Sequence, residues 1–164
     1  MIKHTKSLAA AILSAGILSL NAFAGNSAQQ TVTYEVSAIN ELSVSGATAS
    51  VTVNSATAGS APNVATDSTT TYAITTNEEG RKITGSINSN MPTGVTLSAT
   101  LVGPTGAESQ GKKALSTVAT DLVMGISTLN ESGKGISYEL AATSAAGVVA
   151  SATKTVTLTI SAQD

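Results

Sequence analysis

From Gln30 to the C-terminus, apolar and polar residues of this chain alternate with period two. Alternation places every second side chain on one face of an extended strand, the mark of a half-buried sheet. In QTVTYEVSAI (30–39), Val32, Tyr34, Val36 and Ala38 share one face, and Thr31, Thr33, Glu35 and Ser37 the other. ELSVSG aligns Leu42 with Val44, and ATASVTVN (47–54) aligns Val51 with Val53. TTTYAITTN aligns Tyr72 with Ile74, and RKITGSI aligns Ile83 with Ile87. GVTLSATLV brings Val95, Leu97, Ala99 and Leu101 together; TDLVMGI does so for Leu122, Met124 and Ile126. KGISYELAA aligns Ile136, Tyr138, Leu140 and Ala142, and TKTVTLTISA (153–162) aligns Val156, Leu158 and Ile160. These are about nine short runs, punctuated by Gly, Pro, Asn and Ser, as in a sandwich or barrel.

The pattern predicts an all-β, antiparallel two-sheet β-sandwich of immunoglobulin-like type, with eight to nine strands. NEEG (77–80) falls between two alternating runs and reads as a hairpin turn, with Gly80 free to take a positive φ. Residues 54–68 form the longest polar stretch and read as a surface loop. Only KKALSTVATDLV has any helical character, and its β-branched residues weigh against it. A lipid-embedded barrel needs two aromatic girdles, which three tyrosines cannot supply.

The first 24 residues have a different character. Lys3 and Lys6 precede an apolar run from Leu8 to Leu20, and Ala22-Phe23-Ala24 offers small residues where a signal peptidase reads. The expectation is a signal peptide over 1–24, cleaved before Gly25, and a single sandwich domain over 25–164. The apolar run is short of the ~20 residues a spanning helix needs, and no Cys follows the cleavage site for lipid attachment. The mature chain is thus expected not to insert in a membrane. Export would also remove the only His, the only Phe and two of the eight basic residues. Six basic residues then face ten acidic ones, a net charge of −4. Nucleic acid and anionic membranes call for a basic face, so neither is an expected partner. With no Cys there is no disulfide support, and stability falls to a core of Val, Leu, Ile and Ala.

Candidate chemistry is sparse. GPTGAESQGKK (103–113) contains Gly106, four residues, Gly111 and Lys112, which approaches a phosphate-cradling loop. That loop places a Ser or Thr after the Lys and joins a buried parallel strand to a helix; here Lys113 takes the hydroxyl position in a chain without β–α alternation. Ser109 and Lys112 form an S-x-x-K, but its S-D-N and K-T-G companions are missing. Without a mature His or Cys, hydrolytic triads and most zinc sites lack their parts. Glu35 and Glu139 remain as a carboxylate pair, both expected mid-strand and outward. Glycosidases use such pairs within a sugar-stacking cleft, which needs aromatics. Asp67, Asp121, Glu131 and Asp164 are scattered and form no calcium-loop motif. The expectation is a non-enzyme with no cofactor, no catalytic residue and no metal ligand.

What remains is surface. The outward positions are rich in Thr and Ser and poor in charge, whereas monomers use charge to blunt sheet edges. Such a face suits a subunit covered by neighbours. The sequence of features, from an export signal through the polar lead GNSAQQ and the strand-like QTVTYEVSAINELSVSG to TYAITTNEEGRKITGSI and a closing TKTVTLTISAQD, resembles small secreted β-sandwich proteins of bacteria. More distantly it is similar to cysteine-free fimbrial major subunits of Gram-negative bacteria. It departs from the better-known pilins in carrying Gln163 where they have a penultimate aromatic, and in lacking their disulfide.

The fimbrial resemblance implies a structural or adhesive protein outside the cell, at the surface, released or periplasmic. It also implies self-association in which an N-terminal strand completes a neighbour's sheet, through Val32, Tyr34, Val36 and Ala38. Partners would then be further copies or another surface protein. The same row also reads as the first strand of the chain's own sandwich, which the pattern favours because nearly every sandwich opens with such a strand. A monomeric module binding glycan or host protein through residues 54–68 or 103–113 is the alternative function.

Overall fold

In the computed structural model, which describes residues 26–46 and 48–164, every long element is a strand. The expected signal peptide lies outside the described residues. In chain order the strands are β1 (Asn40–Val44), β2 (Ala65–Thr76), β3 (Arg81–Ile87), β4 (Val95–Leu101), β5 (Glu108–Ser109), β6 (Lys113–Ala114), β7 (Thr120–Ile126), β8 (Leu129–Ala142) and β9 (Val156–Ala162). One 3-10 turn, Ser144–Ala146, separates β8 from β9. All strand pairs are antiparallel and build two sheets, ordered β1-β2-β8-β4-β6 and β5-β7-β3-β9. The two-sheet sandwich expected from the alternation is therefore the fold.

The inward rows of the two sheets supply the core. Tyr72 and Ile74 of β2, Ile83 and Ile87 of β3, Leu97, Ala99 and Leu101 of β4, and Ile136 and Tyr138 of β8 are buried. β7 breaks the alternation, because Leu122 and Val123 are adjacent and both fully buried. The register explains this: Arg81 faces Ile126, Ile83 faces Val123 and Thr84 faces Asp121, so β7 carries two extra residues against β3. One bulge contains Gly125 at φ +73°, the left-handed geometry that a bulge of this type requires. Buried Tyr72 donates its phenol hydrogen to the carbonyl of Val102. Burial, and secondarily the negative charge of Glu131, pushes its pKa up to about 12.

Four expectations need correction. NEEG is no hairpin: β2 pairs with β1 and β8, and β3 with β7 and β9, so the turn carries the chain from one sheet to the other. Gly80 does take φ +62°. The polar stretch 54–68 is a loop only to Val64, since β2 already begins at Ala65. In ATASVTVN, residues 48–54 keep their alternation of exposure without becoming a strand. Ala49 and Val51 pack against the core, while the backbone N–H of Ser50 is taken by the Asp67 carboxylate at 2.9 Å instead of by a neighbouring strand. Most consequential, residues 27–39 carry neither helix nor strand. Val32, Tyr34 and Val36 are 72, 90 and 79% exposed, and the row belongs to none of the described strands. Alternation makes a segment competent to pair, but a ladder needs a neighbour in register.

The chain divides at Glu35/Val36 into two units. The described part of the first, residues 26–35, is exposed throughout. The second, Val36–Asp164, contains every strand.

Candidate self-association surface

Where the chain joins the sandwich it is held firmly. The Asn77 side chain accepts from the Ile39 N–H at 2.7 Å and donates to the Ser37 carbonyl at 2.8 Å. Thr76 Oγ1 donates to Asn40 Oδ1 at 2.8 Å, and Glu78 receives both Asn40 Nδ2 and the Arg81 guanidinium. The hydrogen bond from Asn40, with help from Arg81, holds the Glu78 carboxyl below its usual range. The NEEG turn thus clamps the start of β1. Residues 36–38, just outside the clamp, are exposed and belong to no ladder.

Among the described residues the sandwich has four edge strands, and they are protected unequally. β5 and β6 are two residues long, too short to template another strand. β1 has five residues and carries Glu41. β9 has seven, VTLTISA, with no charge and no Pro. Among the described residues its one ladder partner is β3, in unbroken register from Arg81↔Ala162 to Ile87↔Val156. Thr157 and Thr159 face solvent, and Val156, Leu158 and Ile160 pack against the core. An uninterrupted, uncharged β-branched edge is what edge protection ordinarily removes.

A groove of about 760 Å³ opens where β2 and β4 begin and β8 ends. Val51, Val53, Met91, Val95, Leu140 and Val149 give it an apolar lining. Its one charged residue is Lys154, whose Nζ donates to Ser89 Oγ at 2.7 Å and the Asn90 carbonyl at 2.9 Å. No aromatic side chain lines it.

The motifs weighed for catalysis sit in ordinary structural roles. GPTGAESQGKK holds β5 and β6, which connect the two sheets. The Gln110 N–H bonds the Leu122 carbonyl of β7 and the Gly111 N–H bonds Ser109 Oγ, so both amides are already taken by the protein's own acceptors. Lys112 forms an ion pair with Glu139 at 2.9 Å, and Lys113 faces Ala99 in the β4–β6 ladder. Glu35 lies in the first unit, outside any strand, so the expected pair of mid-strand carboxylates is reduced to Glu139 on β8. Asp67 accepts from Ser50 and Thr69, Asp121 and Asp164 both approach Lys82, and Glu131 accepts from Lys134 and Thr105. Among the described residues no three of His, Cys, Asp and Glu converge on a point that could hold a metal ion.

The candidate row, Val32 to Ala38, was legible in the sequence as a pattern. The groove was not, because Val51, Leu140 and Lys154 are brought together only by the fold. Among the described residues no helix is long and apolar enough to cross a membrane. No family model, no curated protein and no solved structure matches the chain.

Proposed function

We propose that this chain is an exported, non-enzymatic structural subunit of a surface or extracellular assembly, and that it self-associates by strand addition. The observation that carries the reading is a mismatch within one molecule. A strand-competent apolar row, with Val32, Tyr34 and Val36 exposed, belongs to none of the described strands, while among the described residues the sandwich presents an uncharged edge strand, β9, with β3 as its ladder partner. Strand addition satisfies both at once, with main-chain bonds for affinity and alternate side chains for register.

The magnitudes make such contacts feasible. Burying Val32, Tyr34 and Val36 contributes about 1.5–3 kcal/mol each, and each added ladder bond about 0.5–1.5 kcal/mol net. Against this stands an association cost of about 4–15 kcal/mol. One contact is therefore concentration-dependent, and a chain of contacts at high local concentration is stable.

The test is size and shape of residues 25–164 by size-exclusion chromatography and negative-stain electron microscopy. Fibres or large multimers are expected, and Tyr34→Asp should abolish them without unfolding the sandwich. A wild-type chain that stays monomeric at high concentration overturns the proposal and redirects attention to ligand binding by the loops.

A further inference from the structure

We propose that the groove where β2 and β4 begin binds one molecule of a straight-chain aliphatic carboxylate, with the chain on the apolar floor and the carboxylate on Lys154. This does not depend on strand addition, because it concerns a small ligand on a single copy, and a chain that stays monomeric tests it equally well.

The recess is built from four stretches distant in sequence. Val51, Met91 and Leu140 line the groove and also pack against the core, so its floor is continuous with the hydrophobic interior. Val148 and Val149, in the loop between β8 and β9, line it too and are exposed. Exposed apolar surface gathered around a recess marks a binding site more than the scattered apolar residues of an ordinary surface do. The volume, about 760 Å³, falls within the range of small-molecule sites, about 300–1,000 Å³.

The lining also selects the ligand. Among the described residues that line the groove there is no aromatic, so it has no platform on which to stack a sugar or an aromatic ring. There is no carboxylate either, so it has no counter-charge for a cationic ligand. Its one charge is the ammonium of Lys154, and that group is fixed in place. Lys154 Nζ donates to Ser89 Oγ at 2.7 Å and to the Asn90 carbonyl at 2.9 Å. The next residue, Thr155, accepts from the Asn88 N–H at 3.1 Å and donates its own N–H to Asn88 Oδ1 at 3.2 Å. Both acceptors on Nζ are neutral and an ammonium has three donors, so a carboxylate can take the third. Ser89 and Asn90 directly precede Met91, which sets the cation beside the apolar floor. An aliphatic floor with one fixed cation at its side is complementary to an aliphatic chain with one anionic end. A free carboxylate fits this better than a bilayer does, because the chain has a formal net charge of −2, which opposes an anionic membrane surface.

The test is isothermal titration calorimetry of the full chain, processed as its expression host processes it, with octanoate, decanoate and dodecanoate below their micellar concentrations. Decanol and decyltrimethylammonium serve as controls. Affinity is expected to rise along the carboxylate series, by up to about fourfold for each added CH₂. Lys154→Gln should weaken decanoate about fivefold and leave decanol unchanged, which also shows that the variant is folded. Val149→Asp, at an exposed position, should weaken both. The proposal is overturned if no carboxylate of the series binds, if decyltrimethylammonium binds as tightly as decanoate, or if neither substitution alters decanoate binding. Decanoate binding that disappears as the protein is concentrated overturns it in favour of a second copy in the groove. Binding to vesicles of phosphatidylglycerol without binding to free decanoate overturns it in favour of a membrane surface.

Discussion

QTVTYEVSAI (30–39) and TKTVTLTISA (153–162) carry almost the same pattern: threonines on one face, apolar residues on the other, and at most one charge. Their fates differ completely. Most of the second is β9, matched residue for residue with β3 and packed through Val156, Leu158 and Ile160 against the core. The first is in no sheet and exposes Val32, Tyr34 and Val36. The difference lies in the neighbour. β3 offers β9 an open side and an inward row, Ile83, Gly85 and Ile87, to pack beside. Residues 30–39 have no strand neighbour among the described residues. Period-two alternation is thus a capacity, realised as a strand of the described sheets in one case and not in the other.

The strongest way to break this comparison is to remove apolar contacts on each side of it. Ile83 is fully buried at the centre of β3. Ile83→Ala should destabilise the sandwich by about 2–5 kcal/mol, the range for emptying a well-packed core position. Tyr34→Ala should change the unfolding free energy of the monomeric domain by no more than about 0.5 kcal/mol, as exposed positions do. Urea denaturation at low concentration reads both. A loss above about 2 kcal/mol for Tyr34→Ala would mean that the segment packs on its own domain, and the comparison would collapse.

Gly85 sharpens the β3 side. A Cβ built there lies 2.6 Å from Leu122 Cδ1 on the neighbouring strand β7 and 3.4 Å from Leu115 Cδ2, so the space above this glycine is already filled by core side chains. Leu122 is fully buried and has little freedom to yield. Gly85→Ala should therefore cost about 1–3 kcal/mol by overpacking, read by the same denaturation. A neutral or stabilising result would show that the core between β3 and β7 is looser than the geometry implies.

Much of the fold was legible because it depends on local pattern. RKITGSI and TDLVMGI begin and end where β3 and β7 do. What was not legible depends on partners distant in sequence. A turn such as NEEG announces a reversal without saying which sheet takes the next strand. ATASVTVN has a strand's alternation, but the Asp67 carboxylate, not a ladder, meets Ser50. Of the two bulges in β7, the one between Val123 and Ile126 shows in sequence as Gly125, and the one that makes both Leu122 and Val123 inward leaves no such mark. The candidate surfaces divide in the same way: the row Val32 to Ala38 is one continuous segment, and the groove is assembled from residues about a hundred positions apart.

A charge placed on β9 tests whether its edge is the open one. Thr159 is exposed and faces away from the core. Thr159→Lys should leave the unfolding free energy within about 0.5 kcal/mol, as surface substitutions do. It should nevertheless lower self-association, because a lysine on an edge opposes the approach of another strand. Sedimentation velocity across a concentration series distinguishes the two effects. Unchanged association would relocate the acceptor to β1.

The smallest expected effect concerns charge, which the molecule distributes as unevenly as its strand partners. β9 has none, whereas Glu131 beside the β8 bulge accepts from Lys134 and from the Thr105 N–H, tying the loop after β4 to β8. The Lys134 hydrogen bond, with help from Thr105, lowers the Glu131 pKa to about 2. A carboxylate depressed in the folded state contributes stability that is fully present above its unfolded value, near 4.5, and is lost as pH falls through about 2. Between those limits the sandwich should lose stability progressively, and Glu131→Gln should remove that component while leaving the rest of the acid limb. Strand addition through Val32 to Ala38 relies on main-chain bonds and apolar burial, so assembly should decline less steeply than domain stability over the same window. If filaments and sandwich instead lose stability together from pH 4.5 downward, and Glu131→Gln flattens both, then the charged bulge also supports the interface, and the division between a charged closed side and an uncharged open side does not hold.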